Sequence, residues 1–208
     1  IMILHDVQQG TPEWHALRMR PTASNFRRVF TSQKKRSTSF DEYAIELTEE
    51  IKAGRKLETF KSEWMQRGND MEAQANAMFQ LETGLVTTPI GFVTTDDGKI
   101  GCSPDAIVHD DDKGETALLE IKCPKPTTHI KYLLANKVPA DYIPQVQGQL
   151  WITEKPYAYF MSFHPDHESL IIRVERDEEY ISGLATELNK LLDKVNANLK
   201  KLGVVHGV

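Results

Sequence analysis

Cysteine is nearly absent: Cys102 and Cys123 are the only two in 208 residues, and they lack C-x-x-C spacing. A disulfide framework, a cysteine zinc site and an iron–sulfur cluster are therefore excluded, and both thiols read as buried. Long apolar runs are missing too, none approaching the roughly 18 residues of a membrane span. The opening Ile1-Met2-Ile3-Leu4-His5-Asp6 has neither the basic nor the apolar region of a signal peptide, so the expectation is a soluble, cytoplasmic protein without membrane contact. The seven histidines form no H-x-x-x-H or H-x-H pattern, and none is assigned as metal ligand or nucleophile. Repeats, low-complexity tracts and linkers are also lacking, which leaves one domain over residues 1–208.

Positive charge is scarce overall. The net charge of −5 argues against sequence-independent DNA binding, which needs Lys and Arg to neutralise phosphates. Its distribution argues otherwise. Residues 1–40 hold seven basic groups (Arg18, Arg20, Arg27, Arg28, Lys34, Lys35, Arg36) against Asp6 and Glu13, a local +5 that leaves −10 for the rest. The expectation is a basic DNA-end-binding segment on an acidic body.

With 40% hydrophobic residues the chain can build a core. Thr22-Ala23-Ser24-Asn25-Phe26 reads as a capped helix start and Gln33 to Ser39 as a polar, basic loop. Helices are predicted from Asp41 to Ala53, ending at Gly54, and from about Ser62 to Leu81, stopping at Gly84. The period then changes. Ile90 to Thr94, Lys99 to Val108 and Ala117 to Cys123, separated by the turns Asp96-Asp97-Gly98 and Asp110 to Gly114, predict a three-stranded antiparallel meander. Helices near His129 to Leu134 and Ile143 to Trp151, strands Tyr157 to Phe163 and Leu170 to Val174, and a final helix from Glu178 to about Leu202 complete an α/β domain with its catalytic core in 62–163.

Chemistry concentrates in Pro104-Asp105, followed after fourteen residues by Glu120-Ile121-Lys122. Strand alternation puts Glu120 and Lys122 on one face while Ile121 packs into the core. Asp105, on the preceding hairpin strand, can lie beside Glu120. Two carboxylates that close repel unless a cation lies between them, and hard oxygen ligands suit Mg²⁺ or Mn²⁺. Phosphodiester hydrolysis needs an activated water and stabilised charge, which one or two divalent ions supply, and Lys122 can orient or deprotonate that water. The Ile121 carbonyl is a further, neutral ligand. The bland alternative is an exposed ion-pair strand face with Asp105 capping a turn. On the Ser62 helix, Met71, Ala75, Met78 and Phe79 form an apolar stripe that Glu72 borders; such a carboxylate needs a metal or an ordinary salt bridge. Gln145, Gln147 and Gln149 offer amides, with nothing in the sequence to rank them.

Pro104-Asp105 with Glu120-x-Lys122 resembles the PD-(D/E)xK nuclease motif. Trp14-His15-Ala16-Leu17-Arg18, Thr22-Ala23-Ser24, Arg67-Gly68-Asn69-Asp70-Met71-Glu72, Cys102-Ser103-Pro104-Asp105, Leu119 to Pro124 and Gln145-Val146-Gln147 narrow the resemblance to the lambda exonuclease and YqaJ-type viral recombination exonucleases. That resemblance implies a restriction-endonuclease-like core: a central mixed sheet with an antiparallel meander, flanked by helices. It implies Asp105, Glu120, Glu72 and the Ile121 carbonyl as metal ligands, Lys122 as catalytic base and Gln145 in the water shell. It implies Arg18 and Ser24 as the 5′-phosphate site. Two Mg²⁺ ions, replaceable by Mn²⁺, are the expected cofactor. The expected activity is 5′-to-3′ digestion of one strand of linear duplex DNA to mononucleotides, by a ring of three subunits. The 3′ overhang would pass to a single-strand annealing protein in a bacterial host cell. Ala106 replaces the usual Gly after the motif Asp, and Arg20-Pro21 stands where a Gly is common, which leaves the path into Ser24 open. A structure- or sequence-selective endonuclease and a non-catalytic DNA-binding module are the rival readings.

Overall fold

The computed structural model describes residues 2–56, 63–110 and 114–204, with only the backbone of 63–70. The Arg67 to Asp70 block therefore lies on a helix whose side chains there are outside the described residues, as are Ser62 and the middle of the Asp110 to Gly114 turn.

Strand β6 (Glu115–Lys122) organises the fold. Residues 117–121 are all buried, so both of its faces are covered. It pairs antiparallel with β5 (Ala106–Asp110) and parallel with β7 (Tyr157–Ser162), inside a five-stranded sheet that β2 (Val86–Thr88) and β8 (Leu170–Glu175) complete in the order β2-β5-β6-β7-β8. Leu119 and Ile121 pack with Ala75 and Phe79 of α3 (Glu63–Thr83), while Leu118 packs with Val146 and Leu150 of α5 (Ile143–Thr153). This is the expected mixed sheet between helices.

The expected meander is corrected in its connectivity. Lys99 to Val108 is not one strand: β4 (Gly101–Cys102) joins β3 (Phe92–Thr94) and β1 (Ile3–His5) in a separate small sheet, and only β5 enters the main one. Pro104 explains the break, because it has no N–H to give to a ladder. Ser103-Pro104-Asp105 thus crosses between sheets, and the Asp105 N–H resumes pairing with the Leu119 carbonyl at 3.0 Å. The main sheet's antiparallel run is β2-β5-β6 instead.

The N-terminal layer packs α2 (Phe40–Ala53), closed by Gly54 in the left-handed region, against the long α6 (Glu178–Lys201). The Thr22 to Phe26 segment is a 3₁₀ turn, Ala23–Arg28, rather than the start of an α-helix, and Thr22 makes no side-chain cap. It lies against α5: a Cβ on Gly148 would stand 2.3 Å from the Phe26 ring. That close approach brings Ser24 to the helix carrying Gln145. The short α1 (Pro12–Leu17), capped by Thr11, carries Trp14 and leads into Arg18. No helix among the described residues is long and apolar enough to cross a membrane.

Candidate active site

At the C-terminal end of β6 both helical layers reach the sheet end, and six expected site residues come from β6, α3, α5 and the segment that crosses between the sheets. Glu120 is 2% exposed, which rules out the surface ion-pair reading of the E-x-K fragment. Its Oε1 accepts from Lys122 Nζ at 2.5 Å and from Gln145 Nε2 at 2.5 Å, and its Oε2 accepts from Gln149 Nε2 at 2.6 Å. A buried carboxylate is tolerable only with such donors. Gln145 and Gln149 stand one turn apart on α5 and face the same way. Gln147, on the other side, donates to the Glu175 carbonyl and accepts from the Asp177 N–H.

Asp105 approaches from the sheet-crossing segment. Its Oδ2 accepts from the Ile121 N–H at 2.5 Å, just beyond the last β5–β6 partner pair, Ala106 and Leu119. In a strand one residue's N–H and C=O point to the same edge, so the Ile121 carbonyl leaves toward Asp105. The Ile121 side chain packs into the α3-facing core, as the alternation predicts. Burial first, then the Glu120 charge and that of Glu72, push the Asp105 carboxyl well above the ordinary carboxylate range against the opposing Lys122. Glu72 is half-buried beside the α3 stripe, and burial followed by the Glu120 charge raises its pKa too. Burial lowers the Lys122 pKa, but Glu120 and Asp105 outweigh it and hold the ammonium protonated beyond the ordinary lysine range.

Three carboxylates therefore surround one ammonium. Among the described residues no three His, Cys, Asp or Glu side chains already stand in metal-holding positions. The hydrogen bonds explain this: the Glu120 oxygens are taken by Lys122 and two amides. The donor set still fits a hard divalent cation, because every candidate ligand is oxygen and the carboxylates exceed the local cations. Gln149 Oε1 is moreover a buried acceptor with no hydrogen-bond partner among the described residues.

Two residues were not assigned from sequence. Gln149 was legible in its i, i+4 spacing from Gln145. Tyr142, which precedes α5, places its ring centroid 5.1 Å from Lys122 Nζ, and no local pattern announces that contact.

The second expected site lies nearby. Arg18 Nη2 donates to Ser24 Oγ at 3.1 Å, and the guanidinium stacks on Trp14 with 4.3 Å to the ring centroid. Trp14 Nε1 donates to Ser103 Oγ at 3.1 Å, which ties this group to the segment carrying Asp105. Burial lowers the Arg18 pKa, opposed by Tyr43, Glu50 and Glu120, so Arg18 lies within the field of the Glu120 site while the guanidinium stays charged. The open path into Ser24 is fixed by the β3–β4 hairpin: Gly101 N–H donates to the Pro21 carbonyl at 3.0 Å and Arg20 to that of Gly98.

The rest of the basic segment is mostly paired within the chain. Arg27 meets Asp141, Arg28 grips Glu46 through two bonds, Lys34 meets Glu179 and Arg36 meets Glu187.

Comparison with known proteins supplies the context. A family model described as the YqaJ-like viral recombinase domain matches residues 13–156. The crystal structure of an alkaline exonuclease, LHK-Exo, from Laribacter hongkongensis superposes with a TM-score of 0.82 at 30% identity, covering 93% of this chain and 96% of that one. Its complex with dAMP gives 0.81 at 30% identity, covering 92% and 96%. A phage-related exonuclease from Haemophilus somnus 129PT shares the fold at a TM-score of 0.69 and 15% identity, over 88% of this chain and 96% of its own.

Proposed function

The chain belongs to the YqaJ-like viral recombinase family, and from that premise we propose that it is a divalent-metal-dependent exonuclease acting 5′ to 3′ on linear duplex DNA in homologous recombination. The observation that carries this reading is the buried Glu120, joined to Lys122, with Asp105 bonded to the adjacent Ile121 N–H and the Arg18–Ser24 pair tied to the Asp105 segment through Trp14 and Ser103. Asp105, Glu120, Glu72 and the Ile121 carbonyl would hold Mg²⁺, two ions being the expected complement and Mn²⁺ a substitute. Bound there, the metal supplies a water of lowered pKa and stabilises charge on the phosphoryl oxygens.

The chain's own groups do the rest. Lys122 as it stands is a cation, suited to orienting the attacking water and a phosphate oxygen; it becomes a base only once the carboxylate charge around it is shared. Gln145 and Gln149 fix the Glu120 carboxylate in one orientation, with Gln145 able to reach the water. Arg18 presents a planar fork to a 5′-terminal phosphate and Ser24 adds a hydroxyl, so one strand end is distinguished from the other. DNA affinity has a further source in Lys125, Lys131 and Lys137, on and beside α4 (Pro126–Ala135): all three are exposed, and no carboxylate pairs with them among the described residues. A ring of three subunits and delivery of the 3′ overhang to a single-strand annealing protein belong to the same proposal.

The test is digestion of end-labelled linear and covalently closed circular duplex by the purified protein, with Mg²⁺ or with EDTA. The expected result is mononucleotide release from 5′-phosphorylated linear DNA, none from circles and none with EDTA. Cleavage of circles would replace this reading with an endonuclease. Binding without cleavage would leave a DNA-binding module.

A further inference from the structure

Lysine has a flexible four-carbon stem and three rotatable donors, so an ammonium that must act at one place needs more than one wall. The first wall is Glu120 Oε1 at 2.5 Å. It is an unstable arrangement for a working site, because the same oxygen is a candidate metal ligand. A carboxylate shared with a divalent cation is a weaker partner for an ammonium.

The second wall is aromatic. The Tyr142 ring lies with its centroid 5.1 Å from Lys122 Nζ, within cation–π range. The ring is itself braced. Phe160, fully buried and directly across from Glu120 in the β6–β7 register, has its centroid 5.4 Å from that of Tyr142, and the Tyr132 ring of α4 meets it edge-on at 6.4 Å. The backbone is held as well, since Tyr142 closes the 3₁₀ turn Ala140–Tyr142 that Pro139 precedes, and Pro144 stands in the first turn of α5 just beyond it. The π face attracts a cation without carrying a charge that a metal would draw away.

We infer that Tyr142 is a positioning residue for Lys122, its ring face holding the ammonium at the reacting centre when Glu120 serves the metal. The inference rests on the nuclease reading for its kinetic consequence, but not for the contact itself. What matters is the aromatic face and not the hydroxyl, so phenylalanine keeps the function and an aliphatic or amide side chain loses it.

Two measurements on the full chain test this. In metal-free protein carrying labelled lysine, the Lys122 side-chain methylene protons should be shifted upfield by the ring current, the resonance being assigned by its absence in Lys122→Met. That shift should persist in Tyr142→Phe and vanish in Tyr142→Leu and Tyr142→Gln. On linear duplex, Tyr142→Leu and Tyr142→Gln should lose about tenfold or more in kcat with KM within about twofold, while Tyr142→Phe stays near wild type. Two replacements of opposite polarity guard against one that fails to fold. An unshifted Lys122 resonance in the wild type, or full kcat in either non-aromatic variant, overturns the inference. A wild type that digests no DNA defeats the nuclease reading instead, and the resonance still decides whether Tyr142 holds Lys122.

Discussion

Two regions of this molecule bring acidic and basic side chains together in different ways. In the N-terminal layer the partners come in nearly matched numbers at partly exposed positions: Arg28 with Glu46 and Glu42, Lys34 with Glu179 and Asp177, Arg36 and Lys190 with the shared Glu187. Pairs of this kind stabilise a fold only weakly, because solvent and salt screen them. At the end of β6 the numbers do not match. Asp105, Glu120 and Glu72 share Lys122, and burial, followed by the neighbouring carboxylate charge, pushes two of the three carboxyl pKa values up. A surface pair stabilises the fold a little, whereas the carboxylate cluster costs stability until a cation joins it. Net charge hides both facts, because the −5 of the chain averages a neutralised shell with an uncompensated site.

Replacing the cluster's carboxylates is the harshest way to break this contrast. Asp105→Ala and Glu120→Ala should each cut DNA hydrolysis on the order of a thousandfold or more while end binding survives. Asp105→Asn should lose activity equally, yet raise the melting temperature of the metal-free protein, because a buried like charge is gone and the amide still accepts from the Ile121 N–H. A metal-free Asp105→Asn that melts lower than wild type would mean the cluster is not under charge stress.

Lys122→Ala sharpens the contrast from the other side. Turnover should fall on the order of a hundredfold or more. Divalent metal should nevertheless bind more tightly by calorimetry, since an ammonium no longer competes for Glu120 Oε1. Weaker metal binding in this variant would show that Lys122 supports the ligand set instead of guarding it. Arg18→Ala should have a smaller effect: loss of most of any preference for 5′-phosphorylated over 5′-hydroxyl ends, with the metal affinity unchanged. Equal preference in wild type and variant would leave direction without a residue.

The same contrast marks what the sequence could tell. Strand alternation was enough to orient Glu120, Ile121 and Lys122, because period two is a local property that tertiary packing did not override. Helix ends at Gly54 and Gly84 were legible for the same reason: a glycine in the left-handed region is a local signal. The break between β4 and β5 was not legible. Lys99 to Val108 alternates like one strand, and only the small sheet built with the distant Ile3 to His5 shows that Pro104 divides it. Pairing was hidden in the same way. The Arg36 to Glu187 contact spans 151 residues, so the segment counted as +5 from its composition has most of its charge committed elsewhere. The contact of Tyr142 with Lys122 depends on the packing of α5 against β7, which no spacing records.

The smallest expected effect tests whether the surface half of the contrast is as weak as supposed. Arg28 holds Glu46 by bonds of 2.6 and 2.8 Å, in the two-pronged geometry that makes the strongest surface pairs. The hydrogen bond and charge of Arg28 outweigh partial burial and lower the Glu46 pKa. A carboxylate with a lowered folded pKa contributes stability above its unfolded value, about 4.3 for glutamate, and that contribution fades as pH falls through the lowered value. Glu46 is 37% exposed, so screening discounts the gain. A double-mutant cycle with Arg28→Met and Glu46→Gln should therefore give a coupling of about 0.5–1 kcal/mol at pH 7. The coupling should weaken in denaturant titrations as acid protonates Glu46, and shrink in about 1 M salt. Arg28 also stacks on Tyr43 at 4.8 Å, so Arg28→Met alone should cost more than Glu46→Gln, and only the cycle isolates the pair. A coupling above about 2 kcal/mol, or one that acid does not weaken, would show that the basic segment is built into the fold as firmly as the carboxylates of the β6 site.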